Sequence, residues 1–230
     1  MTLATIQRRV GVNPDGQWGP KTEAAISAAL DNAGVPAAPR KTIEDFIGGF
    51  IDAHEGGLSM DPVDNGNWTG GKKGVGKLVG SKYGVTAGAV AAYRGVPTSS
   101  ITAQDIANLT RDEAVNIGVK LYYEQPGFAK LPFNRVTLSI VDKGWGSGPV
   151  QAIKLLQRLI GVSDDGKIGP QTVAAYKAWL DRTGEEAAAR KWADVRIAFD
   201  TSLNQPRFIN GWNNRTRSFL PGTAWWEAWG

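Results

Sequence analysis

Glu55 stands where a helix has to end. The segment Thr42 to Leu58 reads TIEDFIGGFIDAHEGGL, with Ile43, Phe46, Ile47, Phe50 and Ile51 at i, i+3, i+4, i+7 and i+8. That spacing makes one apolar helix face. Thr42 with Asp45 three residues on is a weak start signal, and Gly56-Gly57 is a stop signal. A carboxylate in the last turn meets the negative end of the helix dipole, which disfavours its ionised form. Partial burial acts in the same direction. A glutamate kept protonated near neutral pH can donate its proton to the oxygen of a breaking glycosidic bond. The ordinary reading competes with this one, because Glu55 is one of 22 acidic residues and most of these belong to the solvated surface.

The absences favour carboxylate chemistry. The chain has no cysteine and a single histidine, His54. Disulfides, thiolate metal sites and a cysteine nucleophile are excluded, as is a zinc site of two or three imidazoles. A Ser-His-Asp triad would have to use His54, and no G-x-S-x-G elbow accompanies it. His54 therefore reads as a structural residue. No metal and no cofactor are implied.

One motif points elsewhere. GGKKGVGK (residues 70–77) places Gly71, Gly76 and Lys77 in register with the phosphate-loop pattern G-x-x-x-x-G-K-[ST], but the next residue is Leu78. Leucine cannot ligate Mg²⁺. The loop is preceded by MDPVDNGNW (residues 60–68), which is turn chemistry and not a buried strand, and it is followed by further glycines. The segment is expected to form a Gly-rich, Lys-studded hairpin that a long polymer can approach closely.

The elements that must position these residues follow from the whole chain. It has 230 residues, 42% hydrophobic and 21% charged, with a net charge of +4 from 26 basic and 22 acidic residues. This is globular composition. No apolar run approaches a membrane span, so no stable membrane insertion is expected. The basic balance favours a polyanion, but the basic residues are dispersed, which argues against nucleic acid. The first ten residues lack the apolar core of a signal peptide, so synthesis in the cytoplasm is expected. The expected state is a monomer.

The chain also repeats itself. IQRRVGVNPDGQWGPKTEAAISAAL (residues 6–30) aligns without gaps to LQRLIGVSDDGKIGPQTVAAYKAWL (residues 156–180), with 13 of 25 positions identical. Each copy reads as helix, Asp-Gly turn and helix, with Pro20 and Pro170 where a first helical turn tolerates proline. Identities cluster in the loop, at Asp15-Gly16 and Gly19-Pro20 against Asp165-Gly166 and Gly169-Pro170. These stretches resemble peptidoglycan-binding repeats with the signature D-G-x-x-G-P-x-T. The resemblance implies wall contact through Asp15, Gly16, Trp18 and Gly19, with Trp18 as the stacking platform. The second copy has Ile168 at that position, which favours a structural role. A Pro/Ala-rich linker over 31–40 separates a binding module at 1–38 from a main domain at 41–230, and the second copy (150–185) lies inside that domain.

The main domain resembles the N-acetylmuramidases of glycoside hydrolase family 108, lysozyme-like enzymes of phages. The residues that carry the likeness are His54-Glu55-Gly56-Gly57, Asp61-Pro62 with Asp64, and Ser81-Lys82-Tyr83-Gly84-Val85-Thr86. The core helices around LSIVDKGWGSGPV (residues 138–150) and the ending FINGWNNRTRSF (residues 208–219) extend it. Two departures stand out: a longer loop between Asp64 and Ser81, and Gly146 where the family has asparagine.

The resemblance implies a mainly α, lysozyme-like α+β fold, in which a helical catalytic domain carries a small Gly-rich β-hairpin and follows a small helical peptidoglycan-binding module. It implies cleavage of the β-1,4 bond between N-acetylmuramic acid and N-acetylglucosamine in bacterial peptidoglycan. Glu55 would be the acid, Asp64 a stabilising charge, Ser81 a holder of water, and Tyr83 and Trp145 substrate-binding aromatics. Lys72, Lys73, Lys77 and Lys82 would face the anionic polymer. The expected role is that of a phage endolysin released to the periplasmic wall by a holin. Two alternatives remain, a lytic transglycosylase forming 1,6-anhydro products and a non-catalytic wall-binding or virion protein.

Overall fold

The computed structural model of the chain describes residues 2–32, 41–54 and 57–230. It forms two compact units, Met1–Thr42 and Ile43–Gly230. Most of the expected linker, together with Glu55 and Gly56, lies outside the described residues.

The first unit is a helical hairpin of α1 (Leu3–Arg9) and α2 (Pro20–Asn32). Thr2 opens α1 by accepting a hydrogen bond from the Thr5 amide, as N-cap hydroxyls do. The connecting loop is organised by one side chain, Gln7, which is 1% exposed. Its Nε2 donates to Asp15 Oδ1 at 2.7 Å, to the Gln17 carbonyl at 2.8 Å and to Thr22 Oγ1 at 3.0 Å. Its Oε1 accepts from the Gly16 amide at 2.8 Å. A buried amide leaves little unsatisfied in this arrangement.

The second unit begins with α3 (Ile43–His54). The apolar stripe read from the sequence is the buried face: Ile43, Phe46, Ile47, Phe50 and Ile51 are all at or below 9% exposure. A small antiparallel hairpin follows, β1 (Ser81–Lys82) with β2 (Val85–Thr86), in the register Ser81↔Thr86 and Lys82↔Val85. Then come α4 (Ala87–Arg94), α5 (Ala103–Ala107), α6 (Arg111–Val119), α7 (Arg135–Ser147), α8 (Pro149–Ile160), α9 (Pro170–Thr183), α10 (Glu185–Ser202), α11 (Ile209–Arg217) and α12 (Ala224–Ala228). The unit is a helical domain with a minimal sheet.

Helix α6 packs on α3 because of a glycine. A Cβ on Gly118 would stand 2.7 Å from Ile47 and 2.9 Å from Trp145, both closer than real contacts allow. Beyond Val119 the chain makes a π-helical turn over Lys120–Glu124, which sets the Tyr122 ring 4.6 Å from that of Trp145. The C-terminal tryptophans close the other side of α3: Phe46 packs edge-on to Trp225 and Trp229, and Trp226 is buried beneath the Arg135 guanidinium. The aromatic tail is core.

Helix α7 is surrounded, with Val136 to Gly144 all buried, and α8 lies along it. The second repeat, α8-loop-α9, is part of this unit. Its loop repeats the first unit's bonds: Gln157 Nε2 to Asp165 Oδ1 (2.8 Å), to the Lys167 carbonyl (2.9 Å) and to Thr172 Oγ1 (3.1 Å), with the Gly166 amide on Gln157 Oε1 (2.9 Å). The loop sequence dictates that geometry in either setting.

Because α7 is buried all round, its charged residues need partners inside. Asp142 Oδ2 accepts from Arg196 Nη2 at 2.6 Å, and its Oδ1 accepts from Arg215 Nε at 3.1 Å. Arg196 Nη1 also donates to the carbonyl and hydroxyl of Ser139. Lys143 Nζ donates to Asp200 Oδ1 at 2.5 Å. Burial pushes the Lys143 ammonium below the usual lysine value, and Asp200 pulls it partly back. The cluster ties α7 to α10 and α11.

Removing Asp142 strands two guanidinium groups. Asp142→Ala is expected to cost about 3–5 kcal/mol in a denaturant titration of the second unit, the usual consequence of breaking a buried ion pair. Asp164→Ala, which breaks the exposed pair with Arg158, is expected to leave the midpoint unchanged. Equal midpoints for the two variants would remove Asp142 from its structural role.

Candidate active site

The loop between α3 and the hairpin is built from short polar contacts. Asp61 Oδ1 accepts from the Val63 amide, and Asp64 Oδ1 from the Gly66 amide at 2.8 Å, so each aspartate holds its own turn. Asn67 is fully buried. Its Nδ2 donates to the Asp61 carbonyl at 2.9 Å, and its backbone carbonyl accepts from the amides of Val79 and Gly80.

Gly80 sits at φ +84, and a Cβ there would lie 2.6 Å from the Ser59 carbonyl. The bare backbone lets Ser59 and Ser81 exchange both amide bonds, at 2.8 and 3.0 Å. The stretch just after Gly57 is thereby sewn to β1. The Gly-rich loop is a turn in its own right, with the Thr69 amide on the Lys77 carbonyl and the Gly70 amide on the Val75 carbonyl. No helix follows it, so the nucleotide-loop geometry is missing.

These elements surround a cavity of about 410 Å³, within the roughly 300–1,000 Å³ usual for ligand sites. The loop contributes Gly57, Ser59, Asp64 and Gly66, and the hairpin contributes Ser81, Gly84 and Thr86. The helices contribute Trp145, Gly146 and Arg215. Asp64 is exposed, so its carboxylate is wet and its free oxygen can face a ligand. Ser81 and Thr86 are paired across the hairpin, which puts both side chains on one face. Thr86 begins α4 without a side-chain cap bond, so its hydroxyl is not spent there.

Of the residues expected from the sequence, Asp64, Ser81 and Trp145 come together in this cavity. Trp145 presents a partly buried ring braced edge-on by Phe50, with centroids 5.5 Å apart. Tyr83 occupies the turn itself at φ +56, followed by Gly84 at φ +72, and packs against the core; its neighbours Ser81 and Gly84 line the cavity. A tyrosine in this left-handed conformation is locally strained.

Lys82 departs from expectation. Its ammonium donates to the carbonyls of Ala107 and Leu109, at 2.8 and 2.9 Å, because the end of α5 leaves those carbonyls without intrahelical partners. Only Lys72, Lys73 and Lys77 of that set are exposed. Glu55 falls outside the described residues, two positions before Gly57 on the cavity wall. Thr86 and Arg215 were not assigned roles from sequence. Both stand in quoted motifs, Thr86 ending the hairpin stretch and Arg215 in Gly-Trp-x-x-Arg, so the signal was present.

In the first unit a shallow cavity of about 400 Å³ is lined by Asp15, Gln17, Trp18, Gly19 and Thr22 among others. Trp18 is 61% exposed, whereas its counterpart Ile168 is 4% exposed. Asp15 is engaged by the Gln17 amide and by Gln7, which hold its carboxyl below the usual value. Gly16, at φ +72, supplies the turn.

Comparison with known proteins supplies the chemistry. Residues 49–148 match the family model described as Glycosyl hydrolase 108. This chain is a glycoside hydrolase. Residues 151–217 match a model described as Predicted Peptidoglycan domain, and the two together make the chain a peptidoglycan hydrolase of lysozyme-like, α-rich fold. The glycosidase match precedes the peptidoglycan match, so the recognised peptidoglycan segment includes the second repeat. A solved structure, "Structure of Brucella abortus SagA", shares the fold with a TM-score of 0.56 and 22% identity, over 76% of this chain and 94% of that one. No curated protein matches the sequence. No described helix is long and apolar enough to cross a membrane.

The two hydroxyls allow a direct check on this cavity. Ser81→Ala and Thr86→Val keep shape and remove one oxygen each. The double variant is expected to slow release of reducing ends from purified walls by at least ~10-fold, the order expected for losing hydrogen bonds to the attacking water, at unchanged melting temperature. Wild-type rates in the double variant would exclude the hairpin hydroxyls from the reaction.

Proposed function

We propose that the chain hydrolyses the β-1,4 bond between N-acetylmuramic acid and N-acetylglucosamine, with Glu55 as general acid. Asp64 stabilises positive charge developing at the anomeric carbon or orients the attacking water, and Ser81 and Thr86 hold that water. The observation that carries the reading is a single cavity that collects an exposed carboxylate, two hydroxyls and a tryptophan, with Gly57, two residues on from Glu55, in its wall. An aromatic face suits a sugar ring. The water-holding groups favour hydrolysis over internal ring closure, which needs no water. The same reading makes the chain a bacteriolytic endolysin, a step supported by the sequence resemblance.

Glu55→Gln is expected to leave the fold intact and to reduce turbidity loss of purified walls by at least ~10²-fold, the low end of general-acid contributions. Asp64→Asn is expected to do less damage, since the amide oxygen still accepts from Gly66 and water replaces part of the charge. Product chemistry tests the reaction type. Hydrolysis leaves a reducing N-acetylmuramic acid end that borohydride converts to muramitol. Products dominated by 1,6-anhydro ends would replace hydrolysis with transglycosylation, and unaltered walls would remove the catalytic reading.

We read the first unit as a wall-binding module, on the strength of the exposed Trp18 beside its cavity. Deleting residues 1–38 is expected to weaken pull-down on insoluble peptidoglycan while sparing cleavage of soluble fragments. Trp18→Ala is expected to reproduce the binding loss. Loss of both activities in the deletion would make the module part of the catalytic fold.

A further inference from the structure

A second cavity adjoins the first. It has a volume of about 320 Å³ and shares Gly146 and Arg215 with the candidate active site. Its remaining wall combines the buried charge cluster with Phe199, Leu203 and Trp212. Gly146 belongs to both, and a Cβ built there meets nothing within 4 Å. At this shared position no side chain stands between the two spaces.

The charges in the wall do not cancel. Asp142 and Asp200 oppose Lys143, Arg196 and Arg215, which leaves one cation in excess. Both carboxylates are already committed, Asp142 to the two arginines and Asp200 to Lys143. Arg215 is the cation with room to act. Asp142 Oδ1 lies 3.1 Å from its Nε and 3.0 Å from its Nη2, its guanidinium lies 4.0 Å from the Phe50 ring centroid, and the side chain remains 23% exposed. Such a guanidinium is pre-organised, and its remaining Nη1 donors can meet a carboxylate. The aromatic and aliphatic wall opposite suits the carbon skeleton of a short peptide. The cleavage proposed above assigns no chemical step to these groups.

We propose that this cavity is a subsite for a carboxylate carried by the substrate, with Arg215 as its receptor and Gly146 as the opening through which it enters. In peptidoglycan two sources supply that group: the stem peptide on muramic acid, and the free lactyl carboxylate where the peptide has been removed. The proposal rests on peptidoglycan occupying the neighbouring cavity, as in the function proposed above. The subsite would let the enzyme read the peptide decoration of a strand while cleaving its sugar backbone.

The test is binding, so that it stands apart from cleavage. Soluble muropeptides bearing stem peptides, peptide-free glycan fragments with free lactyl groups, and peptide-bearing fragments with all carboxyls amidated are titrated calorimetrically into the full chain. The Trp18→Ala background removes the first unit's contribution. Arg215→Lys keeps the charge and loses the planar guanidinium, and Leu203→Glu places a repelling charge on a residue 42% exposed, where folding tolerates it. Each is expected to weaken binding of carboxylate-bearing fragments at least ~10-fold relative to the amidated ones. A loss confined to peptide-bearing fragments assigns the stem peptide, and one confined to peptide-free fragments assigns the lactyl group. Equal affinities for all three ligands in wild type, or variants that bind like wild type, would overturn the subsite. Wild-type binding that responds as expected while walls remain uncut would instead fault the catalytic proposal alone.

Discussion

The placement of the site's helical wall depends on one buried carboxylate. Asp142 is fully enclosed and bonded to arginines from two other helices, Arg196 on α10 and Arg215 on α11. A lone charge there would be untenable, because desolvation costs more than any single contact returns. The arrangement stands only when α7, α10 and α11 are all in place. It therefore fixes the rotation of α7, and with it the directions of Trp145 and Gly146 three and four residues on. Arg215 links this framework to the cavities, since the same guanidinium that balances Asp142 lines both.

The other wall of the cavity is held by a different kind of force. The segment from Ser59 to Thr86 contains few apolar residues, and its precision comes from backbone groups. Asn67 gathers three neighbours, Asp61 and Asp64 each close a turn, and Ser59 pairs with Ser81. Such a loop needs glycine where chains approach, as at Gly80, and its polar groups lie on a surface where water reaches Asp64. A charged, hydrated loop facing a rigid helical wall is a reasonable seat for a polar polymer.

The two copies of the repeat show how one sequence pattern serves two settings. Gln7 and Gln157 make the same four bonds, with lengths that agree to within 0.1 Å. The difference lies at one position of the loop, where Trp18 faces solvent and Ile168 is buried beside Gly127. A conserved local network thus leaves the outward residue free to become a contact surface in one copy and a core residue in the other.

The sequence alone determined whatever is local or periodic. The buried face of α3 follows from apolar spacing, the repeat loops from Asp-Gly and Gly-Pro, and the hairpin from its turn glycines, because each depends on neighbours a few residues away. It also marked Asp64, Ser81 and Trp145, which the fold brings to one cavity. Tertiary structure decided what depends on distant partners. Lys82 turned inward because unpaired carbonyls of Ala107 and Leu109, over 20 residues away, lay within reach. The C-terminal tryptophans became core because Phe46 and Arg135 await them. Arg215 and Thr86 joined the cavity through helix packing and strand register, and no spacing in the chain encodes the void they share. Local patterns carry their own energetic reasons within a short window, whereas a cavity is defined by surfaces that meet only after the chain has folded.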